Sequence, residues 1–257
     1  MAFRSGFISI IGRPNAGKST LLNRITGEKI SIVSPKPQTT RNVIRGIFNR
    51  PDCQIVFIDT PGIHKGKGLL NEFMVKEAVS SLSDVDAVVL LIEAEKPVSD
   101  DDRLVLEAVK GLSCPVILGI NKVDSVDKRQ ILPIIDEYSK AYAFREIIPI
   151  SALKGEGVEL LVSTLTALMP EGPKYFPDDS VTDLPERFIV AEMVREKVFL
   201  YARDEVPYSA AVTVDKFTEK KDIISISATI SVERESQKGI IIGKGGSMLK
   251  KIGFSAR

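Results

Sequence analysis

Gly12-Arg-Pro-Asn-Ala-Gly-Lys-Ser19 has the spacing G-x-x-x-x-G-K-S, and those residue types suit one task, the holding of phosphate. Gly12 and Gly17 let the backbone curl around phosphate oxygens where side chains would obstruct it. The amides of Asn15, Ala16 and Gly17 and the helix N-terminus that opens at Lys18, Ser19 and Thr20 point at the anion. Lys18 adds a cation for the β- and γ-phosphates, and Ser19 supplies a hydroxyl ligand for Mg²⁺.

Further along, Asp59 ends the apolar run Ile-Val-Phe-Ile, so its carboxylate should emerge at a sheet edge and hold Mg²⁺ through water. Gly62 is placed to donate a backbone N–H to the γ-phosphate. Thr40, rather than Thr39, is expected to close on the metal. Lys18, Thr40 and Gly62 are thus the residues expected to act on the transferred phosphate, with order and disorder of the two loops as the switch.

Asn121-Lys122-Val123-Asp124 follows another apolar run. A carboxylate at Asp124 can accept two hydrogen bonds from guanine's ring N–H and exocyclic amine, a donor pair adenine lacks, and the Lys122 stem can cover the base. Ser151-Ala152-Leu153 resembles the loop whose alanine N–H meets guanine O6. The set predicts GTP or GDP with Mg²⁺, and hydrolysis of GTP. Ras-like enzymes place a water-orienting Gln after Asp-x-x-Gly. Here Ile63 stands there, followed by the sole histidine, His64, read as a switch residue without a chemical role. Slow intrinsic turnover follows from that substitution.

These motifs need a scaffold. Strands are predicted at Phe7–Ile11, Val43–Phe48, Gln54–Ile58, Ala87–Ile92, Pro115–Ile120 and Ile147–Ile150, and helices at Lys18–Ile25, Glu72–Leu82, Asp100–Lys110, Arg129–Tyr142 and Val158–Met169. The alternation predicts an α/β fold, a mostly parallel six-stranded sheet with helices on both faces and the motifs beyond the strands' carboxyl ends. Residues 1–169 form this domain. Residues 170–185, with Pro170, Pro173, Pro177 and Pro185, read as a linker. Residues 186–257 form a smaller α+β domain: a helix at Glu186–Tyr201, strands at Ala210–Phe217 and Ile223–Glu233, and helical periodicity over Gln237–Ile252 around a glycine cluster.

That cluster is Gly243-Lys244-Gly245-Gly246, a Gly-x-x-Gly loop between helical stretches, the arrangement with which KH domains clamp about four nucleotides. Lys244, Lys250 and Lys251 add charge. Residues 234–257 carry Arg234, Lys238, Lys244, Lys250, Lys251 and Arg257 against Glu235 alone, so a local basic patch for RNA is expected.

Composition is that of an ordinary globular chain, 257 residues with 44% hydrophobic and 27% charged residues and a net charge of +1. Cys53 and Cys114 lie in strand-like contexts and are expected as buried free thiols in a reducing compartment. No apolar run approaches the ~20 residues of a membrane span, and the N-terminus is too short in its apolar part for a secretory signal. A cytoplasmic monomer is expected, with the basic end leaving peripheral membrane contact open.

The stretches Gly12–Asn23, Pro37-Gln-Thr-Thr-Arg41 and Asp59-Thr-Pro-Gly-Ile-His64 closely resemble the Era family, within the translation-factor-like GTPases that carry a hydrophobic residue in place of the catalytic Gln. The resemblance spans essentially the whole chain and implies a ribosome-assembly GTPase binding near the 3′ end of small-subunit ribosomal RNA. It also implies a type II KH domain in which a further strand and helix follow, so the chain, ending at Arg257, is expected to be incomplete within that domain. In related GTPases an Asn at the position of Asn15 helps hold K⁺, which implies K⁺-stimulated hydrolysis. The alternative reading is an RNA-binding scaffold whose nucleotide sets conformation only.

Overall fold

The computed structural model describes residues 2–65, 69–94 and 98–257, with residues 69–71 described by backbone alone. Two compact units divide it: residues 1–31 with 40–183, and residues 32–39 with 184–257.

The first unit alternates β1 (Arg4–Ile11), α1 (Lys18–Thr26), β2 (Ile44–Asn49), β3 (Cys53–Asp59), α2 (Leu69–Ser80), β4 (Ala87–Glu93), α3 (Asp100–Val109), β5 (Val116–Asn121), α4 (Ile131–Ala141), β6 (Glu146–Pro149) and α5 (Val158–Leu168). Six strands lie in the order β2-β3-β1-β4-β5-β6, parallel except for β2, which runs antiparallel to β3. Every residue of β3, β4 and β5 is buried, as continuous apolar strands covered on both faces require. Alternate side chains Val88, Leu90, Ile92 and Val116, Leu118, Ile120 join α3 and α4 in one core cluster that also takes Ala78 of α2. On the other face Leu22 of α1 closes on Gly46, and Thr166 of α5 lies 3.7 Å from the Cys53 thiol.

β1 begins three residues before the sequence expectation because Arg4, Ser5 and Gly6 pair with Cys53, Gln54 and Ile55. The proline-bearing segment belongs to this unit through Asp183. Its Val181 carbonyl accepts from Ile47 N–H (2.9 Å) on the outer edge of β2, so this edge is covered. Gln54, fully buried, takes the N–H groups of Tyr175 (2.6 Å) and Phe176 (2.9 Å) on its side-chain oxygen and donates to Phe176 O (2.8 Å). Both cysteines are free, and Cys114 is only half-buried at the turn that enters β5.

The second unit holds α6 (Glu186–Tyr201), a short α7 (Val206–Ser209) that periodicity missed, the antiparallel pair β7 (Ala211–Lys220) and β8 (Ile223–Ser231), α8 (Glu235–Ile242) and α9 (Ser247–Ala256). Val198, Ala202, Val206, Ala210, Ile241 and Ile252 make its core. Residues 32–39 pack in this unit against α6. Val33 N–H donates to Glu196 (3.1 Å), Lys36 Nζ to Ala202 O (2.6 Å), and the buried Arg195, paired with Glu192, donates to Thr39 O (2.6 Å).

Candidate nucleotide site and glycine loop

The first unit brings the motifs together at the carboxyl ends of β1, β3 and β5. The 12–17 loop turns β1 into α1. At Gly17 φ is 98°, and a Cβ there would lie 2.2 Å from Asn121 Nδ2, so only glycine fits. Asn15, exposed, also has a positive φ of 64°. Ala16 is buried, and its carbonyl accepts from Asn121 Nδ2 at 2.8 Å. Thr20 lies in the first turn of α1.

Lys18 is buried, with Nζ donating to Gly12 O (3.0 Å) and Arg13 O (2.9 Å), the arch of the loop itself. Burial lowers its pKa to about 8, against the pull of Asp59. Burial likewise pushes Asp59 above the usual carboxylate range, opposed by Lys18 and by hydroxyl donors. Those donors are Ser19 Oγ (2.7 Å) and Ser31 Oγ (2.8 Å), both on Asp59 Oδ2. Ser19 Oγ also lies 2.9 Å from Thr40 Oγ1. Thr39, which belongs to the second unit, has its hydroxyl donating to Lys36 O at 2.8 Å and lying 2.9 Å from Ser34 Oγ. Asp59 Oδ1 is buried with no hydrogen-bond partner among the described residues. An orphaned carboxylate oxygen beside two converging hydroxyls is a donor set suited to a hard divalent cation.

The Asp59–Gly62 loop lies directly on the phosphate loop. A Cβ on Gly62 would fall 2.6 Å from Pro14 N, and Ile63 N–H donates to Gly12 O at 3.2 Å. Ile63 is 3% exposed and part of the core cluster, so position 63 serves packing. His64 Nδ1 lies 3.1 Å from Gly62 O.

On the base side, Asn121 ends β5. Its Oδ1 accepts Ala152 N–H at 2.9 Å, so a base oxygen reaching that N–H would share it. Ser151 is buried, its Oγ accepting Lys154 N–H at 3.0 Å, while Leu153 is exposed. Asp124 is exposed in a 3-10 turn, with no carboxylate partner among the described residues.

Sequence reasoning missed a buried ionic network here. Glu93, at the end of β4, takes Lys122 Nζ (3.0 Å) and Arg13 (3.4 Å). Arg13 reaches Asp102 (3.5 Å), which closes the capping box of α3 with Ser99. The signal available was Ser-Asp-Asp-Asp at 99–102, a helix-capping pattern, but nothing local ties it to Arg13.

In the second unit the glycine loop links α8 to α9, with Gly243, Gly245 and Gly246 all at positive φ. Open space surrounds Gly245 and Gly246, and Lys244 and Lys250 are exposed. Lys251 is exposed too, with its Nζ 4.1 Å over the Tyr201 ring. No described helix is long and apolar enough to cross a membrane.

Comparison with known proteins agrees with this arrangement. A family model described as 50S ribosome-binding GTPase matches residues 7–122, and a KH-domain model matches residues 205–257. The GTPase Era of Geotalea uraniireducens is 59% identical over 99% of this chain and 86% of its own length. Two solved structures superpose over 99% of the chain. One, an Era in complex with MgGDPNP and nucleotides 1506–1542 of 16S ribosomal RNA, is 43% identical with a TM-score of 0.95 over 87% of that chain. The other, an Aquifex aeolicus Era variant bound to GDP·AlF4−, is 42% identical with a TM-score of 0.94 over 88%. With its phosphate loop, base motif and glycine loop held on these two units, the chain belongs to the Era family of GTPases.

Proposed function

We propose that this chain binds GTP and Mg²⁺ at the Gly12–Ser19 site, grips single-stranded small-subunit ribosomal RNA with the Gly243–Gly246 loop, and uses hydrolysis to time a step of ribosome assembly as a monomer. The observation that carries the nucleotide reading is the convergence of Ser19 Oγ, Thr40 Oγ1 and the orphaned Asp59 Oδ1 beside the buried Lys18.

Ser19, Thr40 and, through water, Asp59 would hold Mg²⁺, which when bound would supply positive charge against that of the phosphates. Lys18 exchanges its loop carbonyls for β- and γ-phosphate oxygens, whose negative charge favours its protonated form. The amides of Asn15, Ala16 and Gly17 add donors to the phosphates. Gly62 N–H donates to the γ-phosphate, so losing that phosphate frees the loop. Asp124 accepts the ring N–H and amine of guanine, with Lys122, Asn121 and the 151–153 loop framing the base.

With Ile63 in the core, no side chain at that position orients the attacking water. Asn15, exposed on the phosphate loop, is the proposed ligand for a K⁺ ion that would supply positive charge where related GTPases use an arginine finger. In the second unit, small residues at 245 and 246 let RNA phosphates approach, and Lys244, Lys250 and Lys251 supply charge.

The test is turnover of GTP by the full chain with Mg²⁺, in K⁺ and in Na⁺, with ATP as control. The reading expects slow hydrolysis of GTP but not ATP, faster in K⁺. Equal turnover of both nucleotides would overturn the site assignment, and equal rates in K⁺ and Na⁺ would remove the K⁺ ligand.

A further inference from the structure

Arg24, in the last turn of α1, reaches the loop after β6. Its Nε donates to Ala152 O at 3.1 Å, and its Nη2 donates to Leu153 O. Its stem lies over Gly155, where a Cβ would come within 3.9 Å of Arg24 Cδ. The other side of Ala152 is held as well, because its N–H donates to Asn121 Oδ1 (2.9 Å) and Asn121 Nδ2 donates to Ala16 O (2.8 Å).

Ala152 is therefore gripped at its N–H and its C=O, and both grips lead to the phosphate loop. Asn121 reaches it through Ala16. Arg24 reaches it along α1, the helix that starts at Lys18. A planar guanidinium with donors on two adjacent carbonyls fixes a loop's orientation in a way that a single point charge does not.

We propose that Arg24 is a positioning residue for guanine recognition: it locks the Ser151–Leu153 loop to the phosphate-loop helix so that the loop meets the oxygen at position 6 of the base. Arg24 itself touches no nucleotide in this account. The inference rests on the proposed nucleotide site, and the experiment separates the two.

Release of a fluorescent GDP analogue is measured first on the unaltered full chain, then on Arg24→Ala and Arg24→Lys. The same series is run with 2-aminopurine riboside diphosphate, which keeps the exocyclic amine but lacks both the oxygen at position 6 and the ring N–H that Asp124 reads, so its faster release is compared only among the three proteins. Arg24→Ala should release the guanine nucleotide about tenfold faster, the scale of one hydrogen bond to a charged group, with Arg24→Lys about two- to threefold faster. The aminopurine nucleotide should leave all three proteins at the same rate. Unchanged guanine release from Arg24→Ala, or equal acceleration of both nucleotides, would overturn the inference. Failure of the unaltered chain to bind the guanine nucleotide would instead overturn the site reading itself.

Discussion

Lys122 Nζ lies 3.0 Å from Glu93 Oε2, while the other oxygen of Glu93 lies 3.4 Å from Arg13. One carboxylate at the end of β4 thus joins the base-reading motif to the phosphate loop, although Arg13 and Lys122 are more than a hundred residues apart in sequence. Glu93 is 7% exposed, so its charge is compensated by these two cations rather than by solvent.

Glu93→Gln should accordingly weaken both stability and nucleotide retention. It leaves Arg13 with Asp102 alone and releases the Lys122 stem from its anchor. A loss of about 2–4 kcal/mol is expected from denaturant unfolding, a little below the about 3–5 kcal/mol of a fully buried pair because Lys122 is partly exposed, together with faster GDP release. Unfolding and release rates at the wild-type level would show the network to be idle.

Asp59→Asn separates binding from folding. The carboxylate is fully buried, and burial works against its charge, so a neutral amide of the same shape should leave stability without Mg²⁺ unchanged or raised by up to about 1 kcal/mol. Mg²⁺ should no longer tighten GTP binding. Thermal melts with and without the metal check both halves, and a Mg²⁺-dependent shift in the variant would remove Asp59 from the metal site.

Asp124→Asn should change which base is read. An amide can donate to an oxygen where the carboxylate accepted from guanine's amine, so xanthine nucleotides gain what guanine nucleotides lose. GTP affinity should fall about a thousandfold, with XTP becoming the better ligand. Competition of labelled GDP by GTP and XTP measures this.

The lysines of the glycine-loop region should behave differently from one another. Lys244 is exposed, so Lys244→Ala should reduce the salt slope of RNA binding by about 0.7 without changing the melting temperature. Lys251 is exposed as well but also lies over the Tyr201 ring, so Lys251→Ala should reduce the slope by a similar amount and in addition lower stability by about 0.5–1 kcal/mol. Binding isotherms at several salt concentrations, paired with melts, distinguish the two.

The sheet was legible because its central strands are continuous apolar runs, and the phosphate-loop, Asp59 and Asn121 motifs were legible because each follows or ends a central strand. Glu186–Tyr201 was read to the residue, a long helix following Pro185. What could not be read depends on contacts distant in sequence. Glu93 looks like any polar residue at a strand end until the fold sets Arg13 and Lys122 beside it. Val181 sits in a proline-bearing stretch with no periodicity, yet its carbonyl takes the free N–H of Ile47. Residues 32–39 have no regular pattern, and only their hydrogen bonds to Glu196, Ala202 and Arg195 place them with the second unit. The four-residue α7 is too short for a periodic signal.

The most direct test of the account is RNA affinity of the full chain loaded with a non-hydrolysable GTP analogue or with GDP. The probe is a short single strand from the 3′ end of small-subunit ribosomal RNA, against a scrambled strand of equal length, at two salt concentrations. The account predicts tight, sequence-dependent binding that prefers the GTP form. Equal affinity in both nucleotide states would contradict the switch and leave an RNA-binding scaffold, and salt-sensitive binding indifferent to sequence would contradict RNA recognition by the glycine loop.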